Sequence, residues 1–224
     1  VAISVVDTFG AMFEEDLARI VRTLDEALDP AIAMGFHSHN NQQLSFALTM
    51  HFVELLAESE RSAIVDASLC GMGRGAGNAT TELVASYLDR KQNGNYDMDA
   101  ILDAIDTYME PFREAYTWGY STPYFVAGMY QCHVNNIAYL QRNHRTNARD
   151  MRNIIASLSQ AERRKYDYDL LENRYIENQS RLIDDEVTVK TLSKAFDGRT
   201  VLLVAPGRSV LDKRKDVPSF IDRE

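Results

Sequence analysis

The stretch SAIVDASLCGMGRGAGNATTELVASYL, Ser62–Leu88, decides the fold. It passes from a short apolar run (SAIVDAS) through four glycines in seven residues (GMGRGAGN) into an amphipathic segment (ATTELVASYLDRK) with Glu82 early in it. That is a strand, a glycine-rich loop and a helix. The pattern occurs twice more upstream. VAISVV, Val1–Val6, is β-branched and apolar, ends in DTFGAM with a turn at Gly10, and leads into EEDLARIVRTLDEAL. There Leu17, Ile20, Val21, Leu24 and Leu28 recur at helical spacing behind an acidic first turn, and Pro30 closes the helix. AIAMGFH, Ala31–His37, is a second strand, followed by HSHNN and the apolar helix QLSFALTMHFVELLAE. The first ninety residues thus read β-α-β-α-β-α, which predicts a parallel sheet with helices packed outside it. The polar and glycine-rich signals DTFG, HSHNN and GMGRGAGN each follow a strand. Ligands of parallel α/β folds bind at those carboxyl ends, so the three loops form a candidate site.

In a strand, residues two apart share a face, so His37 and His39 can reach one ion together. Neutral imidazole suits Mn, Fe, Co, Ni and Zn; two histidines at a polar strand end also serve as ordinary hydrogen-bonding groups. The glycines of GMGRGAGN, among them Gly73, Gly75 and Gly77, let backbone amides approach an anion, with the positive end of the next helix behind them. The plainer alternative is a flexible surface loop. Asn78 is either the N-cap of that helix or turns its amide towards the metal. Asp7 is a metal ligand, an orienting partner or a turn-former, the last two being the commoner roles.

Beyond Asp97 strand signals vanish, and four helical stretches are expected: MDAILDAIDTYMEPFREAY, TPYFVAGMYQCHVNNIAYLQR with Pro123 near its start, ARDMRNIIASLSQAERRKY and YDLLENRYIENQS. RRKYDYD is expected to be a solvated helix face and His144 to be exposed, whereas His51, His133, Cys70 and Cys132 have structural readings. DGRTVLLVAPGRSVL then predicts a turn, a strand and a small loop. The 224 residues carry a net charge of −9, which disfavours non-specific binding to nucleic acid or anionic membrane. No apolar run approaches the ~20 residues a bilayer span needs. Two cysteines make no disulfide framework, and a reducing cytoplasm is the simplest compartment. The chain starts at Val1, already in a strand, so a longer parent protein is expected.

VDTFGAMFEEDL, GFHSHNNQQLSFA and VDASLCGMGRGAGNATTEL, in that order and spacing, resemble strands six to eight of the metal-dependent pyruvate aldolase and acyl-CoA lyase superfamily, a TIM-barrel group. The pattern is most similar to the 4-hydroxy-2-oxovalerate aldolases, and YFVAGMYQCHVNNIAYL extends it to about residue 140. The resemblance implies an α/β fold comprising the last three βα units of a partial (β/α)8 barrel (1–95), a helical region (96–185) and the start of a possible second α/β segment (186–224). It implies that His37 and His39 bind Mn²⁺ or Mg²⁺ with Asn78 beside the metal. Thr8 would contact the substrate carboxylate, the glycine loop (Gly73, Gly75, Gly77) would border the substrate, and Tyr130 would assist proton transfer unless it is a buried core tyrosine. The reaction implied is aldol cleavage of a 4-hydroxy-2-oxo acid to pyruvate and an aldehyde. An acyl-CoA-dependent lyase or synthase and a non-catalytic binding module are the alternatives. A homo-oligomer and an aldehyde dehydrogenase partner docked on the helical region are implied too. The superfamily takes an aspartate ligand and an arginine from its first strand. Neither lies in this sequence, and Asp7 and Arg74 do not replace them.

Overall fold

The computed structural model describes residues 1–59, 61–181 and 184–200. Three strands, β1 (Ala2–Asp7), β2 (Ala33–Ser38) and β3 (Ala63–Val65), form one parallel sheet in the order β1-β2-β3. The register pairs Val5 with Phe36 and Phe36 with Val65. Each crossover runs through a helix: α1 (Glu14–Ala27) after β1 and α2 (Ser45–Glu58) after β2, with α3 (Thr81–Lys91) following β3. The alternation read from the sequence is therefore the alternation observed.

One face of the sheet is the core. Val5, Met34 and Phe36 pack against Leu17 and Val21 of α1 and Leu48, Phe52 and Leu56 of α2. The Phe36 and Phe52 rings stack at 5.4 Å. The opposite face carries Ser4, Val6, Gly35, His37 and Ile64, and there Val6 and Ile64 are 47 % and 46 % exposed. Period-two alternation explains the split: one residue in two meets the helices and its neighbour does not.

At the amino-terminal end of the strands a single side chain closes the structure. α1 has no basic residue in its last turn to meet its free carbonyls. Arg61, 5 % exposed, supplies that function from the start of β3. Its guanidinium donates to the carboxylate and carbonyl of Asp25 and to the carbonyls of Leu28, Asp29 and Ile32.

The remaining elements are helical: α4 (Met98–Ala104), running through a π-helical turn (Ile105–Met109) into α5 (Glu110–Ala115), then α6 (Thr122–Met129), α7 (Val134–Asn143), α8 (Ala148–Ser157), the short α9 (Gln160–Arg163) and α10 (Tyr168–Arg181). Val126, Ala127, Cys132, Ile137, Leu140, Met151, Ile154, Ile155 and Leu171 form a second core among α6, α7, α8 and α10. The chain divides into two compact units, 1–178 and 179–224, so the α/β segment and most of the helical region belong to one unit. The second unit contains α11 (Glu186–Phe196), whose residues are all exposed. The strand and APGRS loop expected after Thr200 lie outside the described residues. No described helix is long and apolar enough to cross a membrane.

Two sequence readings are corrected here. His144 is not exposed: it stacks on Tyr175 at 3.7 Å and its Nε2 lies 2.8 Å from Glu172 Oε2, which also accepts the Tyr139 hydroxyl. RRKYDYD is solvent-exposed from Arg164 to Asp169, as read, but most of it is the turn between α9 and α10 and not a helix face. Arg163 donates to the carbonyls of Ile155 and Ala156, closing the end of α8, and Tyr168 stacks on Tyr139.

Two outcomes are expected. Arg61→Ala leaves several carbonyls and Asp25 without their donor. It should lower the unfolding free energy by about 2–4 kcal/mol, read as a fall in the urea midpoint. Burial pushes the Cys132 thiol up to about 11. At about pH 8 its thiolate fraction is then roughly one in a thousand. In native protein iodoacetamide should modify Cys70 first and reach Cys132 only after unfolding in guanidinium, as resolved by peptide mass spectrometry.

Candidate active site

The three loops at the carboxyl ends of the strands converge on one side chain, Asn41, which is completely buried. Its Nδ2 donates to the Phe9 carbonyl in the first loop (2.9 Å), and its Oδ1 accepts from the Ala76 amide in the third (3.0 Å). Its neighbour Asn40 donates its amide to the Gly77 carbonyl (2.8 Å) and accepts from the Ser45 amide at the start of α2 (3.2 Å).

Asp7 shapes the first loop. Its buried carboxylate accepts from the amides of Ala11 (3.0 Å) and Met12 (3.1 Å), which makes it a turn-former. Burial raises its pKa, opposed by those amides and by His39. Gly10 turns the chain at φ +55°, and a Cβ there would lie 2.7 Å from the His39 carbonyl oxygen.

His37, in β2, and His39, the residue just past its end, lie on the same side, as their spacing predicts. Their rings lie 5.1 Å apart, edge to face, and Ser38 between them is buried on the other side. His37 Nδ1 is 3.4 Å from Asp66 Oδ2 just beyond β3. The pKa of His39 is lowered by burial and by His37, against the opposing carbonyls of Gly77 and Arg74 and the charge of Asp7. The net effect favours a neutral ring with a lone pair.

Asn78 pairs with His39 through an isolated antiparallel bridge. It is not the N-cap of α3, a position held by Thr80. Its Nδ2 donates to the Met72 carbonyl (3.1 Å), while its Oδ1 is buried with no partner. A buried amide oxygen without a donor, on a segment bridged to one of two neighbouring imidazoles, fits a cation as its missing partner. The donor set of two imidazole nitrogens and an amide oxygen thus fits the divalent metal that the sequence implies.

The glycines of the third loop have packing reasons. A Cβ on Gly73 would press on the Asn78 amide group, one on Gly75 on Asn41 Oδ1, and one on Gly77, at φ +88°, on the Gly71 carbonyl oxygen. Gly77 also spends its amide on the Arg74 carbonyl (3.0 Å). The start of the loop is pinned by groups that the sequence reading did not single out. Glu82 accepts from the Cys70 amide (3.1 Å), Trp118 donates to the Cys70 carbonyl (2.9 Å), and Cys70 itself sits at φ +53°.

Thr8 is exposed at the end of β1 and lines a cleft of about 290 Å³ with Arg19, Gln131 and Arg164. Tyr130 closes α6. Its ring packs on the helical core, with the Arg163 guanidinium 5.0 Å above it. α6 reaches the site loops at Gly128, where a Cβ would lie 2.8 to 3.2 Å from Gln42, the Gly10 carbonyl oxygen and Asn41. The structure thus gathers His37, His39 and Asn78, sets Thr8 on the adjacent strand end, and ties the helix of Tyr130 to the same loops.

Asn41→Ala should leave the Phe9 carbonyl and Ala76 amide unpaired and cost about 2–4 kcal/mol. Hydrogen exchange should then speed up in all three loops, including residues 71–78, and not only around residue 41.

Comparison with known proteins finds relatives in sequence and in structure. Residues 1–108 match the HMGL-like family. A 4-hydroxy-2-oxovalerate aldolase of Chloroflexus aggregans is 39 % identical over 129 residues, 54 % of this chain and 36 % of the relative. The Thermus thermophilus protein of the same name is 42 % identical over 108 residues, 48 % of this chain and 29 % of the relative. An oxaloacetate decarboxylase of Mycobacterium tuberculosis is 37 % identical over 106 residues, 47 % of this chain and 30 % of the relative. The crystal structure of the N-terminal domain of a candidate aldolase from Bacteroides vulgatus superposes with a TM-score of 0.55 at 26 % identity, covering 63 % of this chain and 45 % of that one. The chain spans about a third of the length of the curated relatives it matches. Residues 1–108, just under half of the chain, are thus similar to the HMGL-like family, with 4-hydroxy-2-oxovalerate aldolases recurring among the relatives aligned there.

Proposed function

We propose that the chain supplies the last three βα units of a (β/α)8 barrel whose carboxyl-end rim catalyses aldol cleavage of a 4-hydroxy-2-oxo acid to pyruvate and an aldehyde. The observation that carries the reading is the imidazole pair His37 and His39 beside the partnerless buried oxygen of Asn78. These three residues would hold a divalent cation, Mn²⁺ or Mg²⁺. Such a cation supplies Lewis acidity at the 2-oxo acid and offsets the negative charge that develops as the carbon–carbon bond breaks.

The chain's own groups do the rest. The Thr8 hydroxyl, one strand from His37, donates to the substrate carboxylate and fixes its orientation. Tyr130, at the end of α6, would handle the proton of the 4-hydroxyl. The close approach of Gly128 to the first two loops sets that helix against the rim. The other barrel strands would supply the remaining acidic ligand and the base.

The likeness to an oxaloacetate decarboxylase favours one further reading, loss of CO₂ from a 2-oxo dicarboxylic acid, because both reactions develop enolate charge at the same carbon. Pyruvate release by the full-length parent protein from 4-hydroxy-2-oxo acids and from oxaloacetate, with and without Mn²⁺, separates the two. His37→Ala and His39→Ala should each lower Mn²⁺-dependent release by at least about 100-fold. Bound Mn²⁺ without release from either substrate would point to acyl-CoA chemistry. Activity untouched by both substitutions would remove the metal reading.

A further inference from the structure

Asp66 lies beside the histidine pair, and neither the composition nor the spacing of the sequence singles it out. Phe36 and Val65 are paired across β2 and β3, so His37 and Asp66 are the next residues along two adjacent parallel strands. The Asp66 amide donates to the Phe36 carbonyl (3.0 Å), which fixes the backbone at that point. Asp66 Oδ2 stands 3.4 Å from His37 Nδ1, with the imidazole 28 % and the carboxylate 55 % exposed. A carboxylate only accepts, and a neutral imidazole has a single N–H. A proton held between them would therefore sit on Nδ1, leaving Nε2 its lone pair. Among the described residues no three His, Cys, Asp or Glu side chains gather as a metal set, so Asp66 is placed as the partner of a ligand and not as a third ligand.

We propose that Asp66 is a positioning residue that accepts the Nδ1 proton of His37, fixing the tautomer and ring orientation in which Nε2 can take a divalent cation. The proposal builds on the metal reading above, but its first half concerns the metal-free protein. Carboxylate partners of this kind typically strengthen metal binding ten- to a hundredfold. His39 is oriented differently, near the main-chain carbonyls of Gly77 and Arg74.

The test uses the full-length parent protein, labelled with ¹⁵N-histidine, free of metal and at about pH 8.5, where an ordinary imidazole is neutral. His37→Gln assigns the resonances. The expected result is a native His37 protonated on Nδ1. Asp66→Ala should release it to the mixture of a free imidazole. Asp66→Asn, whose amide can donate to Nδ1, should move the proton to Nε2. Both variants, with native circular dichroism, should bind Mn²⁺ about 10- to 100-fold more weakly by calorimetry. A native His37 protonated on Nε2, or a tautomer unchanged in both variants, overturns the proposal. A shift in tautomer with an Mn²⁺ affinity changed less than about threefold overturns its second half. Tautomers that shift as expected in a protein that takes up no Mn²⁺ uphold the orientation by Asp66 and remove the metal reading.

Discussion

The site hangs on the two hydrogen bonds of Asn41. One amide group joins the loop after β1 to the loop after β3 from a position in the loop between them. A side-chain amide is neutral and can donate on one side and accept on the other with fixed geometry. Aspartate would lose the donor and bury a charge; leucine would leave two main-chain groups dry. The geometry of the histidine pair follows from this tie. The Gly10 position lies against the His39 carbonyl, and Asn40 donates its backbone N–H to the Gly77 carbonyl, so the segments that Asn41 ties run beside the backbone that carries His39.

Electrostatics follow from the same packing. Burial holds His39 towards its neutral form while the charge of Asp7 and the carbonyls of the glycine loop limit the shift. Asp7 is itself buried, yet its carboxylate is met by two amides of its own loop, which leaves it committed to the turn. The rim therefore carries two imidazoles and an amide oxygen, with the Asp66 carboxylate beside His37 at the flank.

Much of this was legible in the sequence, because strands, helices and glycine turns are encoded locally. The three βα units, the shared face of His37 and His39, and the importance of the loop around Asn78 all follow from periods of two and 3.6 residues and from the density of glycine. Long-range partnerships were not legible. Asn41 meets groups 32 and 35 residues away, Trp118 reaches 48 residues back to Cys70, and Glu172 meets His144 across 28 residues. Nothing in a local window marks such pairs. The N-cap reading of Asn78 failed for a related reason: the helix starts later, at Thr81, because the preceding residues are drawn back to pair with the HSHNN segment.

Arg61 stands at the other pole of the sheet. Its bonds gather the end of α1, the entry to β2 and the start of β3, all at the amino-terminal end of the strands. What anchors the fold and what shapes the rim are thus separated by the length of the strands. Side chains at the rim can then be exchanged, and the reaction altered, without disturbing the clasp beneath, a division of labour that lets one scaffold acquire new chemistries by changing its loops.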